Sequence, residues 1–354
     1  MGIKNLHSFF RKKIPSVYET VPIENLKGKK LSIDTSIFMC KFKNTYGSKW
    51  LNGFYQFIIY LLQHEIDFIF VLDTKAPPEK SHEREQRSIS REKNRERIDM
   101  LINQWMSLLQ KDPTVTTFLL ESIQTSYPEL HAYFARKHTE PEIKIQEGSQ
   151  YLGKLQKNII RITSNDFDLL KRLFDIMDVN YYHADSEAEG TCSLMNRKGM
   201  VDGVLTEDTD VIAYGAPVMY HNFSYRLGTV QKLQTSRILD MLNISFEQLR
   251  DFCILCGTDY NSNLEKIGPV RSMEMIRKYG SLEEMSSVVN MSSINYPRVR
   301  ILFDSEQYAL KEFEWTDYKN VKLNTEELQH FCFYNNINYS KEKTNLFFSS
   351  TVFF

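Results

Sequence analysis

Among its 354 residues the chain has only five cysteines, three tryptophans, 14 glycines and ten prolines, and its 44 basic and 45 acidic side chains leave a net charge of −1. So little glycine and proline excludes a collagenous or low-complexity chain. Cysteines that are odd in number and scattered over this length exclude a disulfide scaffold. The charge balance excludes a global attraction to nucleic acid or to a membrane surface, so local charge must carry any such partner. No apolar run reaches membrane length, because Phe54 to Leu72 is broken by Gln63, His64, Glu65 and Asp67. Met1-Gly2-Ile3-Lys4-Asn5-Leu6 has neither a signal-peptide core nor the Ser or Thr at position 6 that myristoylation requires. A reducing intracellular compartment without a membrane partner is the expectation. The histidines form no H-x-x-x-H pair.

What is present is an ordinary globular composition, 42% hydrophobic and 25% charged, long enough for two domains or one with a large insertion. Leu31 to Ile33 reads as a buried strand ending on Asp34. Trp50 to His64 carries apolar residues at helical spacing, and Phe68 to Leu72 reads as a second strand ending on Asp73. Strand, helix, strand predicts the start of a parallel α/β sheet. A third strand, Val179 to His183, runs into Asp185-Ser186-Glu187-Ala188-Glu189. A fourth, Met200 to Leu205, runs into Thr206-Glu207-Asp208-Thr209-Asp210. The segment from Thr74 to Val179 exceeds what a crossover needs and reads as a mostly helical lid or arch, with Ile98 to Leu109 amphipathic and Ser164 to Met177 the returning helix. On periodicity, Ile159 to Ile162 passes for a strand. Downstream, Ser245 to Cys256 and Val270 to Tyr279 read as helices separated by Gly257 and Ile267-Gly268-Pro269, which leaves backbone amides at a helix start suited to phosphate.

Strands that all end in acids predict that Asp34, Asp73, Glu187, Glu189, Asp208, Asp210 and Asp259 meet outside the carboxyl ends of the sheet, where open α/β sheets bind ligands. Like charges so placed survive only with cations between them or with some of them protonated. Carboxylate oxygens are hard ligands that suit Mg²⁺ or Mn²⁺, and two such ions about 3.5–4 Å apart activate a water and steady the leaving oxygen of a phosphodiester. Each acid alone also has a local explanation. Ser186 with Glu189 forms a capping-box pattern, Asp208 and Asp210 fit helix caps, and Asp34 and Asp73 can simply end strands. None of these explains every strand ending acidic at once. An aspartyl-nucleophile phosphatase is disfavoured, because Asp34-Thr35-Ser36 lacks the second Asp two residues on.

Met1 to Leu6, Ile33-Asp34, Val71-Leu72-Asp73 with Pro77-Pro78, Ser186 to Glu189, Thr206 to Asp210, Gly257-Thr258-Asp259-Tyr260 and Ile267-Gly268-Pro269 resemble, in order, the motifs of flap endonucleases, the XPG-like structure-specific 5′ nucleases. The resemblance implies a PIN-like α/β fold: a central parallel sheet flanked by helices, a helical arch, and a helix-two-turn-helix DNA-binding motif. It implies two Mg²⁺ (or Mn²⁺) ions, the first held by Asp34, Asp73, Glu187 and Glu189 and the second completed by Asp208, Asp210 and Asp259, with Gly2 among the DNA contacts. The implied activity is hydrolysis of 5′ flaps and of nicked or gapped DNA, endonucleolytic or 5′–3′ exonucleolytic, in replication, repair or recombination, by a monomer. It turns Ile159 to Ile162 into helix. The competing readings are a 5′ exonuclease or junction resolvase of the same superfamily, and a catalytically silent DNA-binding scaffold. The expected division is 1–75 and 164–240 for the nuclease domain, 76–163 for the arch, 241–300 for the helix-two-turn-helix region and 301–354 for a C-terminal helical segment.

Lys80, Arg84, Arg87, Arg91 and Arg95 are spaced 4, 3, 4 and 4. On a helix they fall within about an 80° arc, with Glu85, Glu92 and Glu96 opposite. A solvated helix with i,i+4 ion pairs accounts for the glutamates but less well for the unbroken basic face. That face is expected to overhang the acids, neutralise the scissile phosphate and thread a single strand. By the resemblance, Lys80 and Arg87 match the catalytic Lys and Arg of the family, and Lys157 and Arg161 are similar to further basic residues of the arch.

The same resemblance gives Gly268 and its neighbours the duplex grip with main-chain carbonyls for K⁺, and Lys266, Arg271, Arg277 and Lys278 as phosphate contacts. Three departures stand out: Val270 where a basic residue is usual, Asn263 for a small hydroxyl, and Cys40 for the aromatic that stacks on a base, with Phe38 or Phe42 the nearest replacements. Cys253 and Cys256, inside an apolar helix and without a second pair, read as core residues rather than a zinc or redox site. The terminal Val352-Phe353-Phe354 lacks the Gln of a sliding-clamp peptide, so a clamp is an expected family partner without its signature here. The missing basic tail and the Asn-, Lys- and Ile-rich composition suit a divergent viral member, and the expected location is the nucleus or, for a viral member, a cytoplasmic replication site or the virion.

Overall fold

The computed structural model describes residues 2–109, 152–153, 162–261, 264, 267–318, 321–345 and 349–350. One sheet holds seven strands: β1 (Glu19–Pro22), β2 (Lys30–Asp34), β3 (Asp67–Leu72), β4 (Tyr181–His183), β5 (Gly203–Leu205), β6 (Val218–Ser224) and β7 (Thr229–Gln234), in the spatial order β1-β7-β6-β5-β2-β3-β4. From β6 to β4 every neighbour is parallel, while β7 runs antiparallel to β6 and β1. The parallel centre matches the expectation, and the antiparallel pair extends it. The helices that bear on the site are α1 (Leu6–Lys13), α2 (Thr35–Tyr46), α3 (Trp50–Gln63), α4 (Ser81–Leu109), α5 (Ser164–Ile176), α6 (Ala188–Arg197), α7 (Asp210–Ala213), α8 (Thr235–Leu242), α9 (Phe246–Cys256) and α10 (Pro269–Tyr279).

The expected third and fourth strands begin two and three residues later than the sequence pattern suggests. The reason is the same in both. The N–H of Val179 bonds to Phe174 O (2.9 Å) and that of Met200 to Met195 O (2.9 Å), so each closes the end of the preceding helix instead of joining the sheet.

In β2 and β3 every residue after the first is buried, as expected of parallel strands covered on both faces. Alternate side chains enter two apolar layers. Phe68 and Phe70 join α2, α3 and α5, whereas Ile69 and Val71 face α1, α6 and α9. In the first layer Lys43 of α2 forms an ion pair with Asp166 of α5 at 2.5 Å, and Asp166 completes a capping box with Thr163.

The chain leaves β2 toward β3 and β4 on one side and returns through β5 and β6 on the other. The crevice where the order reverses therefore opens at the carboxyl ends of β2 and β5.

By compactness the chain forms two units, residues 1–83 with 162–354, and residues 84–161. Helix α4 begins at Ser81, well before the amphipathic stretch from Ile98, and most of it belongs to the second unit. Among the described residues no helix is long and apolar enough to cross a membrane.

Candidate active site

The acids reach the crevice on different elements, and short local bonds fix each one. Asp34 ends β2 and caps α2, accepting the Ile37 N–H (3.4 Å) and, across the reversal point, the Thr206 hydroxyl (3.0 Å). Asp73 follows β3. Its Oδ1 accepts the Ala188 N–H at the start of α6 (2.7 Å), a favourable place for an anion, and its Oδ2 accepts the Ser36 hydroxyl. Glu187 precedes α6 and Glu189 lies in its first turn, but the capping box read at Ser186 is not formed, because Ser186 donates to Lys75 O (2.9 Å) and Glu187 occupies the cap position. The loop after β5 is tied by the Asp208 N–H to Thr206 Oγ1 and the Asp210 N–H to Asp208 Oδ1, both 3.0 Å. Asp259 follows α9. Six of the seven acids are buried, and Asp73 is half-buried.

Burial, above all, holds several of these carboxyls well above their usual range, and their neighbours add to it. Asp34 feels Asp73 and Asp208; Glu189 feels Asp34 and Asp73; Asp210 feels Asp208 and Asp259. Asp208 is raised by the same burial and by Asp259. Among the described residues the Lys80 side chain brings a cation to them. The buried Lys80 Nζ lies 2.6 Å from Glu187 Oε1 and 3.3 Å from Asp259 Oδ2. Burial alone would lower its pKa, but Glu189, Glu187 and Asp259 together raise it, so the ammonium is firmly charged.

The other oxygen of Glu187, Oε2, accepts the Tyr260 hydroxyl, which bonds to Tyr214 (2.8 Å), which in turn bonds to Tyr308 (3.1 Å). This tyrosine chain was not read from the sequence. Tyr260 stood in the Gly-Thr-Asp-Tyr motif, but nothing marked Tyr214 or Tyr308.

Among the described residues no three acids, histidines or cysteines already close on a common point as an ion cage. Among the seven acids two buried oxygens, Glu189 Oε2 and Asp210 Oδ1, nevertheless have no hydrogen-bond partner. An all-oxygen donor set with unsatisfied buried oxygens fits a hard divalent cation.

Comparison with known proteins bears on this crevice. The family model for the XPG N-terminal domain matches residues 1–94 and that for the XPG I-region residues 178–259, which together bring in six of the seven acids and, at its last residue, Asp259. A probable RAD2-like endonuclease of Invertebrate iridescent virus 3 is 32% identical over 346 residues, 90% of either chain. The chain belongs to the XPG/RAD2-like endonuclease family. Flap endonuclease 1 of Salmo salar is 28% identical over 84% of this chain and 71% of its own. The flap endonuclease-1 of Methanococcus jannaschii shares the fold, with a TM-score of 0.58 at 20% identity over 95% of each chain.

The other sequence-derived residues of this XPG/RAD2-like nuclease lie on several elements. Gly2, at φ +81°, packs on the loop after β5, where a Cβ would collide with Asp208 Oδ1 and lie 2.7 Å from Asp210 Oδ1. Gly268 and Arg271 stand at the start of α10, and Gly268 has open space where a side chain would project. Arg277 and Lys278 lie in the last turn instead, with Arg277 bonded to Leu242 O (3.1 Å). In the second unit Arg84, Arg91 and Arg95 are exposed and Arg87 half-exposed along α4; Arg91 bonds to Arg87 O, and Arg95 lies 3.7 Å from Asp99. Lys157, Arg161, Lys266, Asn263 and the stretch 159–161 lie outside the described residues.

Phe38 and Phe42 do not replace the missing stacking aromatic. Both are 2% exposed, Phe38 stacked on Phe57 at 4.8 Å and Phe42 edge-on to Phe54 at 4.9 Å, because helical periodicity turns them into the layer beneath the sheet. Cys253 and Cys256 are likewise core residues.

Proposed function

We propose that the chain is a Mg²⁺-dependent, structure-specific 5′ nuclease that hydrolyses DNA phosphodiesters at flaps and at nicked or gapped duplexes, an activity that serves replication, repair or recombination. The observation that carries this reading is the pair of unpartnered buried oxygens, Glu189 Oε2 and Asp210 Oδ1, in a crevice where acids from separate segments meet. Asp34, Asp73, Glu187 and Glu189 would hold one ion, and Asp208, Asp210 and Asp259 a second. When bound, such ions lower the pKa of a water and neutralise charge on the phosphate.

The chain's own groups supply the rest. Ser36, Ala188, Thr206 and Tyr260 hold Asp73, Asp34 and Glu187 in fixed orientations, so no rotamer search accompanies each turnover. Lys80 brings a permanent positive charge to the crevice, where it offsets the charge of an entering phosphate. Arg87, on the part of α4 that belongs to the second unit, matches the family's catalytic Arg, and a role in offsetting phosphate charge is proposed for it by that resemblance alone. Gly2 allows the substrate and backbone to approach Asp208 and Asp210 closely. The amides at the start of α10, beside the open Gly268, suit a duplex phosphate, with K⁺ as the ion of that loop.

The test is incubation of labelled double-flap, gapped, blunt and four-way-junction DNA with and without Mg²⁺. Cutting near the flap base only with the ion is expected. Binding without cutting would replace this reading with a silent scaffold. Preferential cutting of junctions, or of flaps whose 5′ end is blocked by a bulky group, would replace it with a resolvase-like nuclease.

A further inference from the structure

The charge of the molecule is not evenly spread. Over the whole chain it sums to −1, yet the three neighbouring helices α1, α8 and α10 carry seven basic side chains against two acidic ones, Asp240 and Glu274. Helix α1 has no acid at all. Leu6, Phe9 and Phe10 anchor it in the core, and Arg11, Lys12 and Lys13 are exposed in its last turn, Arg11 with its guanidinium 5.6 Å from the centre of the Tyr18 ring, with Lys4 exposed just before the helix. Cations in a last turn complement the helix dipole, but a charge of about half a unit needs one, not three. Among the described residues no carboxylate lies within ion-pair distance of Lys4, Lys12 or Lys13.

The position of α1 matters as much as its charge. Gly2 packs on Asp208 and Asp210, and the Lys4 N–H bonds to Gly257 O (3.0 Å), two residues before Asp259. The helix therefore starts at the rim of the acidic crevice. At its far end Ser16 contacts Met241 (3.3 Å), and the adjacent Leu242 O receives Arg277 from the last turn of α10, against which α1 also packs. The cations of α1 and of the α10 terminus thus border one surface.

We propose that this surface is a phosphate-binding track for the duplex arm of the DNA substrate, with Arg11, Lys12 and Lys13 as its outer contacts. The helical rise puts these residues about 10–14 Å beyond Lys4. At about 3.4 Å per nucleotide that corresponds to about three to four phosphates from the cleavage position. The proposal rests on the nuclease reading above and adds a binding site to it.

The experiment compares the full chain with its Arg11→Gln, Lys12→Gln, Lys13→Gln triple variant in flap-DNA binding without divalent ions, over a range of salt. The slope of log Kd against log salt should fall by about 2–3, at about 0.9 per lost duplex contact, while kcat at saturating DNA and the melting temperature stay within error. A Lys12→Arg, Lys13→Arg variant should keep the wild-type slope. A single methylphosphonate placed three or four nucleotides into the duplex should weaken binding of the wild type but not of the triple variant. An unchanged slope, or an equal methylphosphonate penalty in both proteins, overturns the track. If the wild type binds but never cuts, the nuclease reading fails and the track can still stand.

Discussion

Lys80 Nζ and the Tyr260 hydroxyl take the two oxygens of Glu187, one each, so each oxygen of this carboxylate has a partner within the protein, while Glu189 and Asp210 each keep an oxygen with none. Removing the ammonium takes the ion-pair partner from the buried Glu187, a change that costs about 3–5 kcal/mol in comparable buried pairs. Lys80→Met should melt well below the wild type in chelator and recover more than the wild type on adding Mg²⁺ or Mn²⁺, because the more negative crevice draws cations more strongly. Cleavage should drop by about a hundredfold or more, with flap affinity nearly unchanged. Equal ion-induced stabilisation of both proteins, read by calorimetry, would refute this role.

Gly2 tests how closely backbone and acids must approach. Its φ of +81° and the collision of a Cβ with Asp208 Oδ1 mean that Gly2→Ala must displace either the segment or the carboxylate. Cleavage should fall at least tenfold while the far-ultraviolet dichroism stays native. Full activity in the alanine variant would show that the contact is dispensable.

How far the sequence went can be traced through particular residues. The ends of β2 and β3 were legible because the short stretch Leu31-Ser32-Ile33 and the apolar run Phe68 to Leu72 stop on Asp34 and Asp73, and parallel strands buried on both faces leave such a mark. The hairpin of β6 and β7 was not read, since Thr229 to Gln234 has only Val230 and Leu233 as apolar residues, three apart instead of alternating, and the register shifts beside Asn222, at φ +57°. The acids announced themselves by position. The bonds that orient them did not, because Thr206 to Asp34 and Tyr260 to Glu187 span 172 and 73 residues. Phe38 and Phe42 misled because an aromatic close in sequence to the expected stacking position points, at helical spacing, into the core.

Asp208 separates binding from chemistry. It is buried, raised above its usual range by burial and by Asp259, and tied to the Asp210 N–H at 3.0 Å. Asp208→Ala should still bind flap DNA within about threefold, since the proposed phosphate contacts lie on other residues, and should lose cleavage by about a thousandfold or more, the scale of removing a principal electrostatic group. Anisotropy and single-turnover cleavage on the same flap measure both. Parallel loss of the two, or undiminished cleavage, would remove Asp208 from the assigned site.

The pair His7 and His221 sets a pH limit on stability. Their rings stack at 4.7 Å, and burial, the largest cause, lowers His221 to about 3 and His7 to about 4, with Arg11 adding to both. In the unfolded chain both imidazoles take up protons as pH falls through about 6.5, whereas in the folded protein they do so only near the lowered values. The unfolded state therefore binds more protons across that window, and stability falls as the solution is acidified. For His221 alone the loss is about 3 kcal/mol at pH 4. The carboxyls raised by burial act with the opposite sign, so the histidine contribution is read as a difference between proteins. His221→Phe keeps the ring and removes the proton site. Urea unfolding at pH 7 and pH 4.5 should show the variant losing about 2–3 kcal/mol less than the wild type between the two conditions; an equal loss would mean that His221 is already free to protonate in the fold.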